Sequence, residues 1–259
     1  MQTEQKYYEI DKHWTTKNVR QVDSERIIES FHFIPKDVKS IADIGCGNGI
    51  FINYVQTHSK IKKLLGIDNS KSALKYVNTL KIQSDIKSIP IKDKEYDLTV
   101  AFELIEHLSY KDYQLGLKEI CRLAKKYVMV SVPNNEILIK GFVQCPQCET
   151  KFHKNYHKRS FNKTKMRNLL KKYSFEYIET KKIGTYKTYW LLTPLFYILK
   201  RLGLKVQVMK YPSICPMCGY TPTSNLKKRK SQSFTSLILD KIWPKKINSR
   251  WLLALYRRK

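Results

Sequence analysis

Acidic residues are scarce in the second half of this chain. Residues 141–259 hold four Asp and Glu against 27 Lys and Arg, whereas residues 1–140 hold 18 against 22. A general preference for lysine would not strip acids from one half only. The asymmetry implies an anionic partner for the second half: a membrane surface, a nucleic acid, or a phosphorylated or lipid-linked substrate. Glycine and proline are also few, nine each in 259 residues, which excludes collagen-like and low-complexity architectures. The opening MQTEQKYYEIDKHW lacks the apolar segment of a secretory signal. The longest nearly unbroken apolar run, Trp190–Leu199, falls short of the roughly 20 residues that span a bilayer. These absences place the chain in the cytoplasm, with peripheral contact at the inner membrane face left open. Six cysteines would be reduced there, so regular pairs of them point to metal and not to disulfides.

Hydrophobic residues make up 42% of the sequence and aromatic residues 12%, enough for a sizeable core and against wholesale disorder. Strand and helix patterns alternate from residue 40 onward. Ser40–Ile44, Leu64–Ile67, the surroundings of Ile82, Tyr96–Phe102 and Tyr127–Val132 read as strands. Ile50–His58, Lys71–Leu80 and Tyr110–Lys125 read as helices between them. Such alternation predicts a parallel sheet covered by helices. The chain divides into a helical lead-in (1–38), a core (39–140), a cysteine-knuckle region with the last core elements (141–224) and a tail (225–259). Within the third region, 163–172 reads as a helix and 175–183 as a strand. Asn225–Ser233 reads as an exposed linker, and Phe234–Lys259 mixes Leu, Trp and Ile with many cations, the composition of a basic amphipathic element. A helix packed on the parent domain fits the same pattern.

Residues 40–49, SIADIGCGNG, run a strand through Gly45, Gly47 and Gly49 into a helix. Glycines there permit a tight turn and close backbone approach, and the helix presents free N–H groups. The G-x-G-x-G spacing differs from the dinucleotide fingerprint, and no Gly-Lys-Ser/Thr follows, which argues against a P-loop. Asp68 ends the second strand, where an acid can accept both hydroxyls of a ribose. Asp85 follows the third strand, placed for an adenine amino group. Asp43 precedes the loop and can face a cationic ligand group.

DIGCGNG, GIDNS, SDIKSIPIKDKEYDLTVAFELIEHL and VSVPN, in that order over roughly residues 38–135, resemble the class I S-adenosylmethionine-dependent methyltransferases. The resemblance implies an α/β fold with a Rossmann-like seven-stranded sheet and the methyl donor across its carboxyl edge. Gly45, Cys46, Gly47 and Gly49 would cradle the methionine portion, Asp68 the ribose, and Asp85 with Ile86 the adenine; Asp43, Asn69 and Phe102 would also belong to the cofactor site.

The fourth strand leads into Phe102-Glu103-Leu104-Ile105-Glu106-His107. In open α/β folds chemistry gathers beyond the carboxyl ends of strands. On a helical turn Glu103 would share a face with Glu106 and His107. A neutral histidine there could take the proton of an acceptor hydroxyl. E-x-x-E-H also offers two carboxylates and an imidazole to Mg or Mn. It resembles the metal motif of ubiquinone-pathway O-methyltransferases and of small-RNA 3′-terminal 2′-O-methyltransferases, the latter with a further histidine downstream, here His153 or His157. The pair Glu106-His107 could equally order the loop and close the cofactor pocket.

Cys145-Pro-Gln-Cys148 and Cys215-Pro-Met-Cys218 are two knuckles able to complete one tetrahedral zinc site that staples a basic insertion. A Cys-Cys-Cys-His set with His153 is the alternative. The stretch CPQCETKFHKNYHKRSF and the ending RWLLALYRRK are similar to methyltransferases of bacterial cell-surface glycan clusters. That similarity would put His157 and Arg159 near the acceptor; otherwise they cap the following helix. The leading expectation is O-methylation of a sugar or lipid-linked glycan. A metal-dependent RNA 2′-O-methyltransferase and a non-catalytic zinc-ribbon binding protein are the alternatives.

Overall fold

The computed structural model describes residues 8–9, 14, 21–189, 207–208, 213–222 and 245–259. They fall into two compact units. The larger comprises Gln5–Glu136, His157–Gly184 and Ser249–Lys259, the smaller Met1–Glu4, Ile137–Tyr156 and Thr185–Asn248. Residues 157–184 and 249–259 thus belong to the larger unit.

The larger unit is built on a seven-stranded sheet. Its elements in chain order are α1 (Gln21–His32), β1 (Ser40–Ile44), α2 (Ile50–His58), β2 (Lys63–Asp68), α3 (Lys71–Leu74), β3 (Leu80–Gln83), β4 (Tyr96–Phe102), α4 (Tyr110–Leu123) and β5 (Ala124–Pro133). Helix α5 (Leu138–Gly141) and strands β6 (Phe142–Gln144) and β7 (Lys151–His153) follow, then α6 (Lys163–Asn168), β8 (Phe175–Tyr189), β9 (Gln207–Val208) and β10 (Lys245–Arg258). The sheet order is β3-β2-β1-β4-β5-β10-β8. Strands β1 to β5 pair in parallel, as crossover helices require, and β10 runs antiparallel to β5. Strands β6, β7 and β9 form a small separate sheet. The expected Rossmann-like sheet of seven strands is therefore present.

The sheet is buried on both faces, so its central strands are mostly apolar, with Asp43, Asp97 and Thr99 as buried polar exceptions. All residues of β1 and β4 are buried. Leu98, Val100 and Phe102 face one core cluster with Phe51, Ile52 and Val55 of α2. Tyr96 and Ala101 face the other, with Leu117, Ile120 and Leu123 of α4. Helix α4 starts at Ser109, whose hydroxyl accepts from the Asp112 N–H at 3.1 Å.

The C-terminal stretch departs most from the expectation of an amphipathic element. Residues 245–258 form β10, inserted between β5 and β8. Leu252, Ala254 and Tyr256 enter one core cluster, and Trp251, Leu253 and Leu255 the other. A strand buried on both faces is a continuous apolar run, and periodicity alone does not separate it from a helix. Its flanking cations made the run resemble a surface element. Residues 225–244 and Trp190–Leu199 lie outside the described residues. Among the described residues no helix is long and apolar enough to cross a membrane.

Two helices are shorter than expected. The run 71–80 is helical only to Leu74, because the Asn53 carboxamide binds the backbone beyond it, donating to Tyr76 O at 2.8 Å and accepting from Asn78 N at 2.8 Å. The run 163–172 ends as α6 at Asn168, with a 3₁₀ turn at Lys171–Tyr173.

Candidate active site

The glycine loop leaves β1 at its carboxyl end. Gly45, Gly47 and Gly49 have φ of 70°, 54° and 73°, a region that penalises any Cβ. A Cβ on Gly45 would come within 2.7 Å of Leu104 Cδ1, and one on Gly47 within 2.9 Å of Trp14 Cζ3. The Gly45 and Cys46 N–H groups donate to Ile67 O at 2.7 and 3.0 Å, tying the loop to β2. Asp68 completes the tie: Oδ2 accepts from Gly47 N and Oδ1 from Ser70 N, both at 2.8 Å. Sequence placed Asp68 at the ribose; the structure adds that it also shapes the loop. Cys46 is packed beneath the loop, and burial raises its thiol well above the usual range.

Asp43 is buried below the loop, and burial together with the nearby Asp68 charge lifts its carboxyl to about 7. Burial also raises Asp68. Asn69 O accepts from Gln83 Nε2 at 3.1 Å, and Asp85 Oδ1 accepts from Lys87 N at 2.9 Å. Ile86 packs over Gly116 of α4, and Phe102 meets Phe51 edge-to-face at 4.7 Å between ring centres. The predicted cofactor residues thus line the carboxyl edge of β1, β2, β3 and β4.

Glu103 bonds to partners other than Glu106 and His107. Glu103 stands in the left-handed region at φ 51°, and its carboxylate turns toward β5 and β10. Oε2 accepts from Trp251 Nε1 at 2.7 Å and Oε1 from Ser131 Oγ at 3.2 Å. Glu106 is wholly buried, and among the described residues neither carboxylate oxygen has a hydrogen-bond partner. Burial, with Glu103 nearby, pushes its carboxyl well above the usual range. His107 Nε2 lies 4.0 Å from Glu106 Oε1, and the His107 and His157 rings meet edge-on at 4.7 Å. One ligand atom from each of Glu106, His107 and His157 lies within 4.8 Å of the others. This set fits a divalent cation: two imidazoles and a buried carboxylate with its oxygens unused. His157 Nδ1 contacts Glu136 Oε2 at 2.5 Å, an orientation device common to histidine ligands.

Arg159, expected near an acceptor, braces the loop after β4. It donates to Ile105 O at 2.6 Å and Ser109 O at 3.2 Å and stacks 4.1 Å from the Tyr113 ring centre. It also lines a cavity of about 940 Å³ with Tyr113, Leu117, Phe161, Lys165 and Lys172.

Three residues that the sequence did not single out join the site. Tyr8 hydroxyl lies 3.2 Å from His107 Nδ1, and Tyr8 O accepts from Ser70 Oγ at 2.7 Å. Trp14 covers Gly47, and its carbonyl accepts from Asn48 Nδ2 at 2.8 Å. Arg26, on α1, lies 5.4 Å from the Trp251 ring centre. The only sequence signal was a lead-in rich in aromatic residues.

In the smaller unit the two cysteine knuckles repeat one backbone pattern. Glu149 N donates to Cys145 O and Gly219 N to Cys215 O, both at 3.0 Å. Cys145 N and Cys215 N then donate to Thr150 O and Tyr220 O at 3.0 and 2.9 Å. Glu149 and Gly219 both take positive φ, 57° and 74°. The four sulfurs converge, with Cys145–Cys218 at 3.7 Å and Cys148–Cys215 at 3.5 Å. Contacts with Thr150 lower the Cys148 thiol to about 6, whereas Cys215 is raised by burial and Cys218 is raised to about 12. This donor set fits zinc. His153 stands outside it, with Nε2 against Gly141.

Residues 42–130 match the methyltransferase-domain family. The 235L protein of Invertebrate iridescent virus 6, which carries a methyltransferase name, is 38% identical over 68 residues, 25% of this chain and 26% of that protein. The (S)-tetrahydroprotoberberine N-methyltransferase of Eschscholzia californica is 29% identical over 94 residues, 33% of this chain and 26% of that enzyme. This chain therefore spans about a quarter of the length of either relative. A crystal structure of an S-adenosylmethionine-dependent methyltransferase from Archaeoglobus fulgidus superposes with a TM-score of 0.57 at 13% identity, covering 97% of this chain and 99% of that one. The fold is that of the class I methyltransferases.

Proposed function

We propose that the chain is an S-adenosylmethionine-dependent methyltransferase acting on oxygen, with a sugar or lipid-linked glycan as acceptor and a structural zinc in the smaller unit. The observation that carries the methyl-donor assignment is the Gly47–Asp68 bond. It places an acid at the end of β2 beside a loop of three positive-φ glycines. Bound S-adenosylmethionine would supply an electrophilic methyl carbon, so the chain's own residues need to align the acceptor and remove a proton. Asp43 would face the donor's ammonium group, and Asp68 its ribose. His107 would receive the acceptor's proton, with the Glu106 carboxyl beside it. Cys145, Cys148, Cys215 and Cys218 would hold zinc in a closed set with no open position for catalysis. The glycan assignment draws on the basic second half, which suits an anionic acceptor held at a membrane surface, and on the lysine-rimmed cavity beside Arg159.

The convergence of Glu106, His107 and His157 favours a second reading, a metal-dependent RNA 2′-O-methyltransferase, in which those three residues hold Mg or Mn. Labelled S-adenosylmethionine and purified protein, added to an extract fractionated into lipid, glycan, RNA, protein and small molecules, separate the two. Label in lipid or glycan supports the first. Label in RNA that requires Mg or Mn and disappears with Glu106→Gln supports the second. Failure of the protein to bind the donor, with Asp68→Ala making no difference, would leave a zinc-ribbon binding protein.

A further inference from the structure

The cavity of about 940 Å³ lies between α4 and α6, wholly within the larger unit. That volume suits a small-molecule site. Tyr113, Leu117, Phe161 and Leu169 give it an apolar lining. Arg159, Lys165, Lys171 and Lys172 add four cations, and no Asp or Glu lines it. Among the described residues none of the four forms an ion pair. Arg159 donates to the Ile105 and Ser109 carbonyls, Lys165 Nζ to Ser160 O at 2.8 Å, and Lys172 Nζ to Gln114 Oε1. Uncompensated positive charge around an apolar lining selects an amphipathic anion. The side-chain amides that could read a base or a sugar are already engaged. Gln114 Oε1 accepts from Lys172 and from Tyr173 Oη, and Asn168 Nδ2 donates to Thr164 O at 3.2 Å. A hydrocarbon chain needs neither amide. The cavity is also tied to the carboxyl edge of the sheet. Arg159 holds the carbonyls of Ile105 and Ser109, which flank Glu106 and His107. Phe161 bridges Asn134, just beyond β5, and its carbonyl accepts from Asn135 N at 2.8 Å.

We propose that this cavity anchors the acceptor by a prenyl phosphate. The hydrocarbon lies against Tyr113, Leu117, Phe161 and Leu169, and the phosphate among Lys165, Lys171 and Lys172. The acceptor class is then a glycan carried on an isoprenoid phosphate. The inference rests on the lipid-linked acceptor reading and deepens it. Through Arg159 the anchor shares a wall with the loop that carries His107, so holding the lipid end keeps the attached sugar close to the sheet edge.

Calorimetry on the full chain compares farnesyl phosphate, farnesol and inorganic phosphate. The ester should bind at least about tenfold more tightly than either fragment, since each supplies only half of the recognition. Lys171→Gln with Lys172→Gln should weaken farnesyl phosphate by about tenfold and leave farnesol within about twofold. Thr164→Trp, which fills the cavity, should remove binding of both prenyl ligands. Lys60→Gln with Lys62→Gln, outside the cavity, should change neither by more than about twofold. An ester no tighter than farnesol or than phosphate, or an equal loss in the Lys60 and Lys62 double variant, would overturn the proposal. In the labelled extract, farnesyl phosphate and not farnesol should suppress labelling of the lipid fraction. Lipid labelling that survives saturating farnesyl phosphate would overturn the anchor and leave the lipid-linked reading standing. Label found in RNA would remove that reading and the anchor with it. S-adenosylhomocysteine binding, expected unchanged in every variant, separates both results from failure of the donor site.

Discussion

Trp251 donates its indole N–H to Glu103 Oε2 at 2.7 Å, joining β10 to the turn after β4. The bond fixes a glutamate whose φ of 51° is unfavourable for a residue with a side chain. Trp251→Phe keeps one aromatic ring at the site and removes the donor. It should lower stability by about 1–3 kcal/mol, the cost of an unpaired buried acceptor. Urea denaturation of the two proteins checks this. A variant as stable as the parent would show that Glu103 finds another partner.

Asp43 sets a pH dependence whose sign is fixed by burial. Its folded value, about 7, exceeds its ordinary value of 3.8. The folded protein therefore holds a proton that the unfolded chain gives up. Stability from this group is full below about pH 4, falls as pH rises to about 7 and then levels, by about 4 kcal/mol in all. Asp43→Asn should remove that slope in urea titrations between pH 4 and 8.

Donor binding should show the complementary trend. An ammonium group beside Asp43 favours its carboxylate, so affinity for S-adenosylhomocysteine should rise with pH and flatten above about 7. Calorimetry in buffers of different ionisation enthalpy should register proton release below that pH. A pH-independent affinity would place the ammonium elsewhere.

Gly45 and Gly47 should be intolerant of alanine for related but separable reasons. At Gly45 the new Cβ meets the Leu104 side chain at 2.7 Å; at Gly47 it meets the Trp14 ring at 2.9 Å. Both also carry positive φ, worth about 1–2 kcal/mol against alanine. Thermal melts should fall for both. Gly47→Ala should lose less stability once Trp14 is shortened to alanine as well, whereas Gly45→Ala should not respond to that change.

Zinc content offers a direct check on the cysteine knuckles. Elemental analysis should find about one zinc per chain, and Cys148→Ser or Cys215→Ser should reduce it strongly. Chelation at high affinity should unfold the smaller unit while donor binding to the larger unit persists. An absence of zinc in protein purified with zinc present would remove the staple.

The parts of the site that lie in one stretch of chain were legible in the sequence. SIADIGCGNG carries its strand, its turn glycines and its helix start in ten residues, and GID places Asp68 at a strand end. The Glu103, Glu106, His107 reading was only half legible. Spacing on a helix put all three on one face, but the chain turns through positive φ at Glu103, and Trp251, 148 positions away, takes its carboxylate. Partners at that separation leave no local pattern. Arg26 and Tyr8 were hidden for the same reason: each sits in a polar lead-in and acquires a role only when α1 and the residues before it meet the sheet edge. Strand β10 was misread because burial on both faces erases the alternation that identifies a strand.

That position of β10 has a consequence for how the protein is made. During synthesis β5 and β8 leave the ribosome before the strand that must lie between them. Until Lys245–Arg258 emerges, the nascent sheet carries an open, apolar edge along β5, with Val128, Val130 and Val132 awaiting cover. Such an edge invites pairing with the wrong chain. A stalled or shortened nascent chain would therefore fail by aggregation before it could fail by losing its chemistry.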